Sequence, residues 1–245
     1  IEDDFVLVYG DLLFTPEAVK NIIGLFEKEQ PAVAMAVVPV EAPENYGIVR
    51  LENGKYVRSL VEKPAREEAA TNLANAGLYV FSPEVFQRIK ETSASDRGER
   101  ELTDAVSLFM KEKTVLAAQI PREDWMDIGR PWDLLEANKW ALARSEHKVL
   151  GSVETGVHII GHVTVADTAR IRSGTYIDGP ALIDEGSDVG PNCYIRPGTS
   201  IGRKVRVGNA CEIKNSIIMD GTHVGHLSYV GDSILGENCN LGAGT

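Results

Sequence analysis

From Ile159 onward every sixth residue is aliphatic: Ile159, Val165, Ile171, Ile177, Ile183, Val189, Ile195, Ile201, Val207 and Ile213. Two places before each stands a small or short residue, in order Val157, Val163, Ala169, Thr175, Ala181, Ser187, Cys193, Thr199, Val205 and Cys211. A six-residue period fits neither the 3.6-residue helical turn nor the plain alternation of a strand. It predicts a β-solenoid with three short flat sides per coil, one hexad each and eighteen residues around. Both residues of each pair then point inward, and coils stack ~4.8 Å apart as parallel strands do. Each inward Ile or Val contributes roughly 1.5–3 kcal/mol of burial. The frame slips by one at Val224 and Val230, and again at Leu235 and Leu241. The slips predict corner loops, where solenoids carry functional groups.

Residues 1–150 show no such period and read as alternating strands and helices. Phe5 to Tyr9 is a short apolar strand ending in Gly10-Asp11. Thr15-Pro16-Glu17 supplies an N-cap, a first-turn proline and an acidic residue that open a helix to about Lys28. Strand Ala32 to Val40 follows. Asn53-Gly54 between Gly47 to Leu51 and Tyr56 to Val61 predicts a hairpin with a tight primed turn, ending at Glu62-Lys63-Pro64. Strand Gly77 to Phe81 leads to a helix after Ser82-Pro83-Glu84. A second helix spans about Leu102 to Lys111, strands Val115 to Ile120 and Trp125 to Ile128 come next, and a last helix runs from Pro131 to about Ser145. This alternation marks an α/β domain over residues 1–150, joined near Lys148 to Glu154 to the solenoid of residues 151–245.

The formal charge of −11 argues against nucleic acid as a partner. No apolar run reaches the ~20 residues of a membrane span, so no membrane is implied, and no signal peptide is visible. The expected setting is cytoplasmic. Three cysteines, an odd number, without a Cys-x-x-Cys suit a reducing compartment, with Cys193 and Cys211 in inward slots one coil apart and read as free thiols, a disulfide being the alternative. One stretch is basic: from Pro191 to Lys214, Arg196, Arg203, Lys204, Arg206 and Lys214 face only Glu212. Arg196 and Lys214 stand eighteen residues apart, each just after an inward Ile, so they stack at one corner. Two cations ~5 Å apart repel unless an anion joins them. That points to a phosphate site, the alternative being a solvated corner with spread side chains.

Asp11 and Asp127 each end an apolar strand, where open α/β sheets bind ligands. Mg²⁺ takes a few carboxylate oxygens together with water and substrate phosphates, so two converging Asp side chains suit phosphoryl chemistry. Turn or capping roles are the alternative.

Val8-Tyr9-Gly10-Asp11, Tyr46-Gly47-Ile48-Val49, Glu62-Lys63-Pro64, Asn75-Ala76-Gly77, the run Gly98 to Asp104 and Trp125-Met126-Asp127-Ile128-Gly129 resemble the successive motifs of sugar-1-phosphate nucleotidylyltransferases. Arg196-Pro197-Gly198, Glu212-Ile213-Lys214, the run Gly225 to Asp232 and Asn240 to Thr245 resemble the left-handed β-helix acetyltransferase domain of the bifunctional enzymes that make UDP-N-acetylglucosamine. The Glu-Lys-Pro and Trp-x-Asp segments are similar to the glucose-1-phosphate thymidylyltransferase branch, a mixture seen in archaeal-type bifunctional enzymes. The fold so implied is an α/β nucleotidyltransferase domain followed by a left-handed parallel β-helix.

The resemblance implies that Asp11 and Asp127 hold Mg²⁺, that Lys63 meets the sugar phosphate, and that Gly47, Glu62 and Asn75 contact the sugar. The substrates would be a nucleoside triphosphate, UTP or dTTP, and a sugar 1-phosphate. In the β-helix it implies His226 as general base toward the amine of an amino-sugar 1-phosphate, with acetyl-CoA as co-substrate. Arg196 and Lys214 would hold that phosphate, with Tyr229 and Asn240 nearby, in a homotrimer whose acetyl-CoA groove lies between subunits. Without its surroundings His226 also reads as a corner histidine bonded to a neighbouring loop, and His158 and His162 as surface residues. The family's Gly-rich loop would precede Phe5 and further coils would follow Thr245, so this stretch alone is not expected to transfer nucleotide. Two other readings stay open: a nucleotidylyltransferase with an oligomerising or allosteric β-helix, and a non-catalytic regulatory subunit.

Overall fold

A computed structural model describes residues 1–93, 98 and 100–245. By packing, the chain divides into two compact units, Ile1–Ile128 and Gly129–Thr245.

In the first unit the strands are β1 (Phe5–Val8), β2 (Leu12–Phe14), β3 (Val33–Pro39), β4 (Gly47–Glu52), β5 (Tyr56–Glu62), β6 (Leu73–Phe81), β7 (Val115–Gln119) and β8 (Trp125–Asp127). The helices are α1 (Pro16–Glu29), α2 (Val85–Glu91) and α3 (Leu102–Glu112). A continuous apolar run suits a strand covered on both faces, and β3 is such a strand. Ala34, Ala36 and Val38 pack with Ala18, Ile22 and Phe26 of α1 and with Trp125. Val33, Met35 and Val37 pack on the other side with Val106 and Phe109 of α3. The main sheet runs β1-β6-β3-β7-β5-β4. Only β3 and β7 pair parallel; the other pairings are antiparallel.

The Thr15 side chain caps α1, accepting from Ala18 N at 3.3 Å, and Gln30 ends the helix in the left-handed region. Asn53 and Gly54 both have positive φ, as a primed hairpin turn between β4 and β5 requires. No side chain of the Ser82-Pro83-Glu84 segment caps α2; backbone turns from Ser82 and Pro83 lead into it. One element has no counterpart in the sequence reading: β2 pairs antiparallel with β8, Leu12 opposite Asp127, in a two-stranded ribbon. The strand ending at Asp127 therefore lies outside the main sheet. Glu99, within the 98–104 motif, falls outside the described residues.

The second unit begins with α4 (Asp133–Leu142), and here the structure departs from a boundary near residue 150. Asn138 of this helix donates to Gly198 O at 2.8 Å and accepts from Ser200 Oγ at 2.6 Å, which ties α4 to the solenoid. Lys148–Val149 already pairs with the strand Val163–Val165. The solenoid has three parallel faces. The first carries Ser152–Val153, Arg170–Ile171, Asp188–Val189, Arg206–Asn209, His223–His226 and Asn240–Leu241. The second carries His158–Ile160, Tyr176–Asp178, Tyr194–Ile195, Glu212–Lys214 and Tyr229–Gly231. The third runs from Lys148–Val149 to Ile234–Leu235.

The hexad aliphatics from Val165 to Ile213 are buried, and so are the small residues from Val163 to Cys211; only Ile159 and Val157, in the first coil, are partly open. The slips are not loops. Ile195 stacks on Ile213, eighteen residues on, whereas Ile201 stacks on Ile218 and Val207 on Val224, seventeen on. One residue is lost at the corner between Ile213 and Ile218, where Asn215 takes a left-handed φ of 44°. The inward side chains keep their places because the corner, not the flat side, absorbs the change.

Cys193 and Cys211 stack as buried free thiols, Cys193 Sγ donating to Gly208 O at 2.6 Å, and burial pushes the Cys193 thiol up to about 11. A thiol reagent should therefore label both slowly in the native protein and at once after denaturation, since the thiolate is the nucleophile; rapid native labelling contradicts this inward register. Ile195→Ala should lower the free energy of unfolding by about 2–5 kcal/mol, read from the denaturant midpoint. A loss below about 1 kcal/mol would show that the column does not close around that position.

Candidate functional site

Six residues singled out in the sequence line one cleft of roughly 340 Å³ in the first unit: Asp11, Gly47, Glu62, Lys63, Asn75 and Asp127. Each is delivered by a different constraint. Asp11 precedes β2 and Asp127 ends β8; Asp127 lies opposite Leu12, and Ile128 N donates to Asp11 O at 2.9 Å, so the two-stranded ribbon holds the carboxylates to one mouth. Gly47 and Glu62 are direct cross-strand partners, and a Cβ on Gly47 would sit 2.9 Å from the Glu62 carboxylate. The missing side chain is what lets that carboxylate enter the cleft.

Lys63 adopts a left-handed φ of 43°, an uncommon conformation for a side-chain-bearing residue, held by its N–H donating to Tyr46 O at 3.1 Å. Asn75 accepts from Gly77 N at 3.1 Å and donates to the buried Tyr79 hydroxyl. Gly77 has φ +72°, and any Cβ there would lie 2.4 Å from Leu12, so the bend that exposes Asn75 needs glycine. Burial holds the hydroxyls of Tyr9 and Tyr79 protonated above the ordinary tyrosine range.

The two carboxylates suit a cation that also takes ligands from elsewhere. Among the described residues no group of three or more His, Cys, Asp or Glu could cage a metal alone. A pair of carboxylates open to a cleft is the donor set that Mg²⁺ uses when phosphates and water complete its octahedron. Asp127 Oδ2 accepts from Tyr46 OH at 3.1 Å. Such a bond orients a ligating carboxylate. Tyr46, Tyr9, Trp125 and Thr103 also line the cleft, and the sequence reading assigned them no role. Tyr46 stands beside Gly47, and its position in that motif was the available signal.

In the second unit Arg196 and Lys214 do stack, since their neighbours Ile195 and Ile213 are ladder partners. Their repulsion is relieved from within the protein, however: Arg196 pairs with Glu212 at 2.8 Å and Lys214 with Asp232 at 3.1 Å. The charge argument for an outside anion thus loses its necessity. Tyr229 follows Glu212 and Tyr194 in the same outward column of the second face. His226 ends a first-face strand at the adjoining corner, exposed, with Nδ1 2.9 Å from Asn209 Oδ1. Asn240 is in register with His223, at the opposite end of that strand and one coil on. Within this chain it does not join the His226 corner. His158 and His162 are exposed, His158 beside Tyr176 and His162 beside His147.

No described helix is long and apolar enough to cross a membrane. The nucleotidyl transferase family model matches residues 1–144, and the GMPPB C-terminal domain model matches residues 177–245. A bifunctional sugar-1-phosphate nucleotidylyltransferase/acetyltransferase of Sulfurisphaera tokodaii is 43% identical over 99% of this chain, which spans 59% of that relative. The bifunctional protein GlmU of Methanocaldococcus jannaschii is 43% identical over 100% of the chain, which spans 58% of it. Among solved structures, apo UDP-glucose pyrophosphorylase superposes with a TM-score of 0.52 and 30% identity, covering 59% of this chain and 56% of its own. With the cleft residues gathered in the segment that its model covers, the chain belongs to the nucleotidyl transferase family.

Proposed function

We propose that the full-length protein makes a nucleotide sugar by two reactions on separate units. In the cleft, a sugar 1-phosphate oxygen attacks the α-phosphorus of UTP or dTTP, a P–O bond forms, and pyrophosphate leaves. The observation that carries this reading is the convergence of Asp11, Gly47, Glu62, Lys63, Asn75 and Asp127 on one cleft. Lys63 would meet the sugar phosphate, while Glu62 and Asn75 accept or donate hydrogen bonds at the sugar hydroxyls. Asp11 and Asp127 would hold Mg²⁺, which when bound neutralises phosphate charge. Phosphoryl transfer asks of protein mainly alignment and charge neutralisation, and these residues supply both.

On the β-helix, His226 would take a proton from the amine of glucosamine or galactosamine 1-phosphate. The amine nitrogen then bonds to the acetyl carbon of acetyl-CoA, the C–S bond breaks, and the thiolate leaves. Imidazole suits a base working near neutral pH. Arg196 and Lys214 would bind the phosphate, and their existing partners are no obstacle. Ion pairs this exposed are weak, so a phosphate dianion can draw both cations together. Their intramolecular pairing also favours the rival in which the β-helix only assembles subunits, and an acetyl-transfer assay decides between them. A homotrimer, with the acetyl-CoA groove between subunits, belongs to the first reading.

In the full-length gene product, Asp127→Asn should cut pyrophosphate release by about 100-fold or more while acetyl transfer is kept. Equal loss of both would indicate misfolding. His226→Ala should lower acetyl-CoA consumption on the order of 10²–10⁴-fold without changing nucleotidyl transfer or oligomer mass. A full acetylation rate in that variant would leave the β-helix an assembly module. Lys214→Ala should raise KM for the amino-sugar phosphate about tenfold with kcat little changed, the signature of lost ground-state binding.

A further inference from the structure

We propose that Asn209 is a positioning residue that fixes which nitrogen of His226 can accept a proton; this rests on the acetyl-transfer reading of the β-helix. Asn209 and His226 are ladder partners seventeen residues apart, and the amide Oδ1 lies 2.9 Å from Nδ1. An amide oxygen carries no hydrogen, so it can only accept. Nδ1 therefore bears the proton of the neutral ring, and the free lone pair is on Nε2, the nitrogen directed away from Asn209. A general base needs that arrangement before substrate arrives, and the partner of the other ring nitrogen sets it. The amide does this without adding a charge.

The corner is built to hold this pair in place. Gly208 passes so close to the next coil that a Cβ on it would fall 1.5 Å from Gly225 O, so the backbones just before Asn209 and His226 are pressed together. Leu227 N donates to Asn209 O at 3.1 Å, and the buried Ser228 donates through Oγ to His226 O at 2.7 Å. Ala210 and Leu227, which follow the two residues, both take left-handed φ, 54° and 46°. The same conformation recurs at other corners of the solenoid, at Asn192, Lys204 and Asn238 among them, and it is what turns the chain from one face to the next. The ring itself is exposed, so its Nε2 is open to a ligand.

The test is the tautomer of His226, read by long-range ¹H–¹⁵N correlation on the full-length protein and assigned by its absence in His226→Ala. Wild type should show Nδ1 protonated and Nε2 bare. Asn209→Leu should relax the ring toward the Nε2-protonated form and lower acetyl-transfer kcat about 10- to 100-fold, with KM for both substrates within about twofold. Asn209→Asp, which keeps an acceptor at the same place, should retain the tautomer and rescue most of kcat. A protonated Nε2 in wild type, or an unchanged kcat in Asn209→Leu, overturns the proposal and leaves the acetyl-transfer reading standing. Full acetyl transfer by His226→Ala removes that reading instead, and with it the role of Asn209, whatever the spectrum shows.

Discussion

The hydrogen bonds from each coil to the next, such as Tyr194 N to Cys211 O at 2.9 Å and Arg196 N to Ile213 O at 2.8 Å, fix what every other residue of the β-helix can do. They lock each residue above one partner seventeen or eighteen positions away. Inward, this turns the hexad repeat into a continuous column from Val163 to Val230. Outward, it places side chains with no sequence proximity within reach: Arg196 on Glu212, Lys214 on Asp232, His226 on Asn209. The chemistry at the corners is thus set by backbone register first and by side-chain identity second.

The first unit solves a different problem, that of holding polar groups at a cleft above a sheet whose interior is apolar on both faces. Its answer is local distortion. Gly77 bends β6 so that Asn75 faces the cleft, Lys63 is held in a left-handed turn, and β2 with β8 forms a ribbon outside the main sheet. These three departures from regular strand geometry fall beside residues that line the cleft. β3 keeps its alternate side chains buried on both faces even though its pairing with β6 shifts register between Met35 and Val37.

The parts legible in the sequence were those governed by period and by motif. Hexads announced the column because burial repeats every coil, and Asn53-Gly54 announced its hairpin because both residues accept positive φ. The cleft residues could be collected through the resemblance, although no spacing reveals that Asp11 and Asp127 share a ribbon. That ribbon pairs three residues with three residues over a hundred positions apart, too short to leave a pattern. That α4 packs with the solenoid was not legible, because nothing in the helix itself says which unit it covers. Asn209 was missed for a sharper reason. Counting back eighteen from His226 arrives at Gly208; only the seventeen-residue coil puts an amide under the imidazole.

The shortened corner between Ile213 and Ile218 also separates two quantities that most folds keep tied, chain length and core volume. A residue can be dropped there with every inward side chain still in its slot, so deletion is nearly free for the interior while it re-indexes each outward position that follows. Different side chains are thereby brought face to face without any of them being substituted. A corner of this kind lets a solenoid vary its surface chemistry by frame rather than by composition, a route closed to a helix or a hairpin, where one lost residue turns the apolar side toward water.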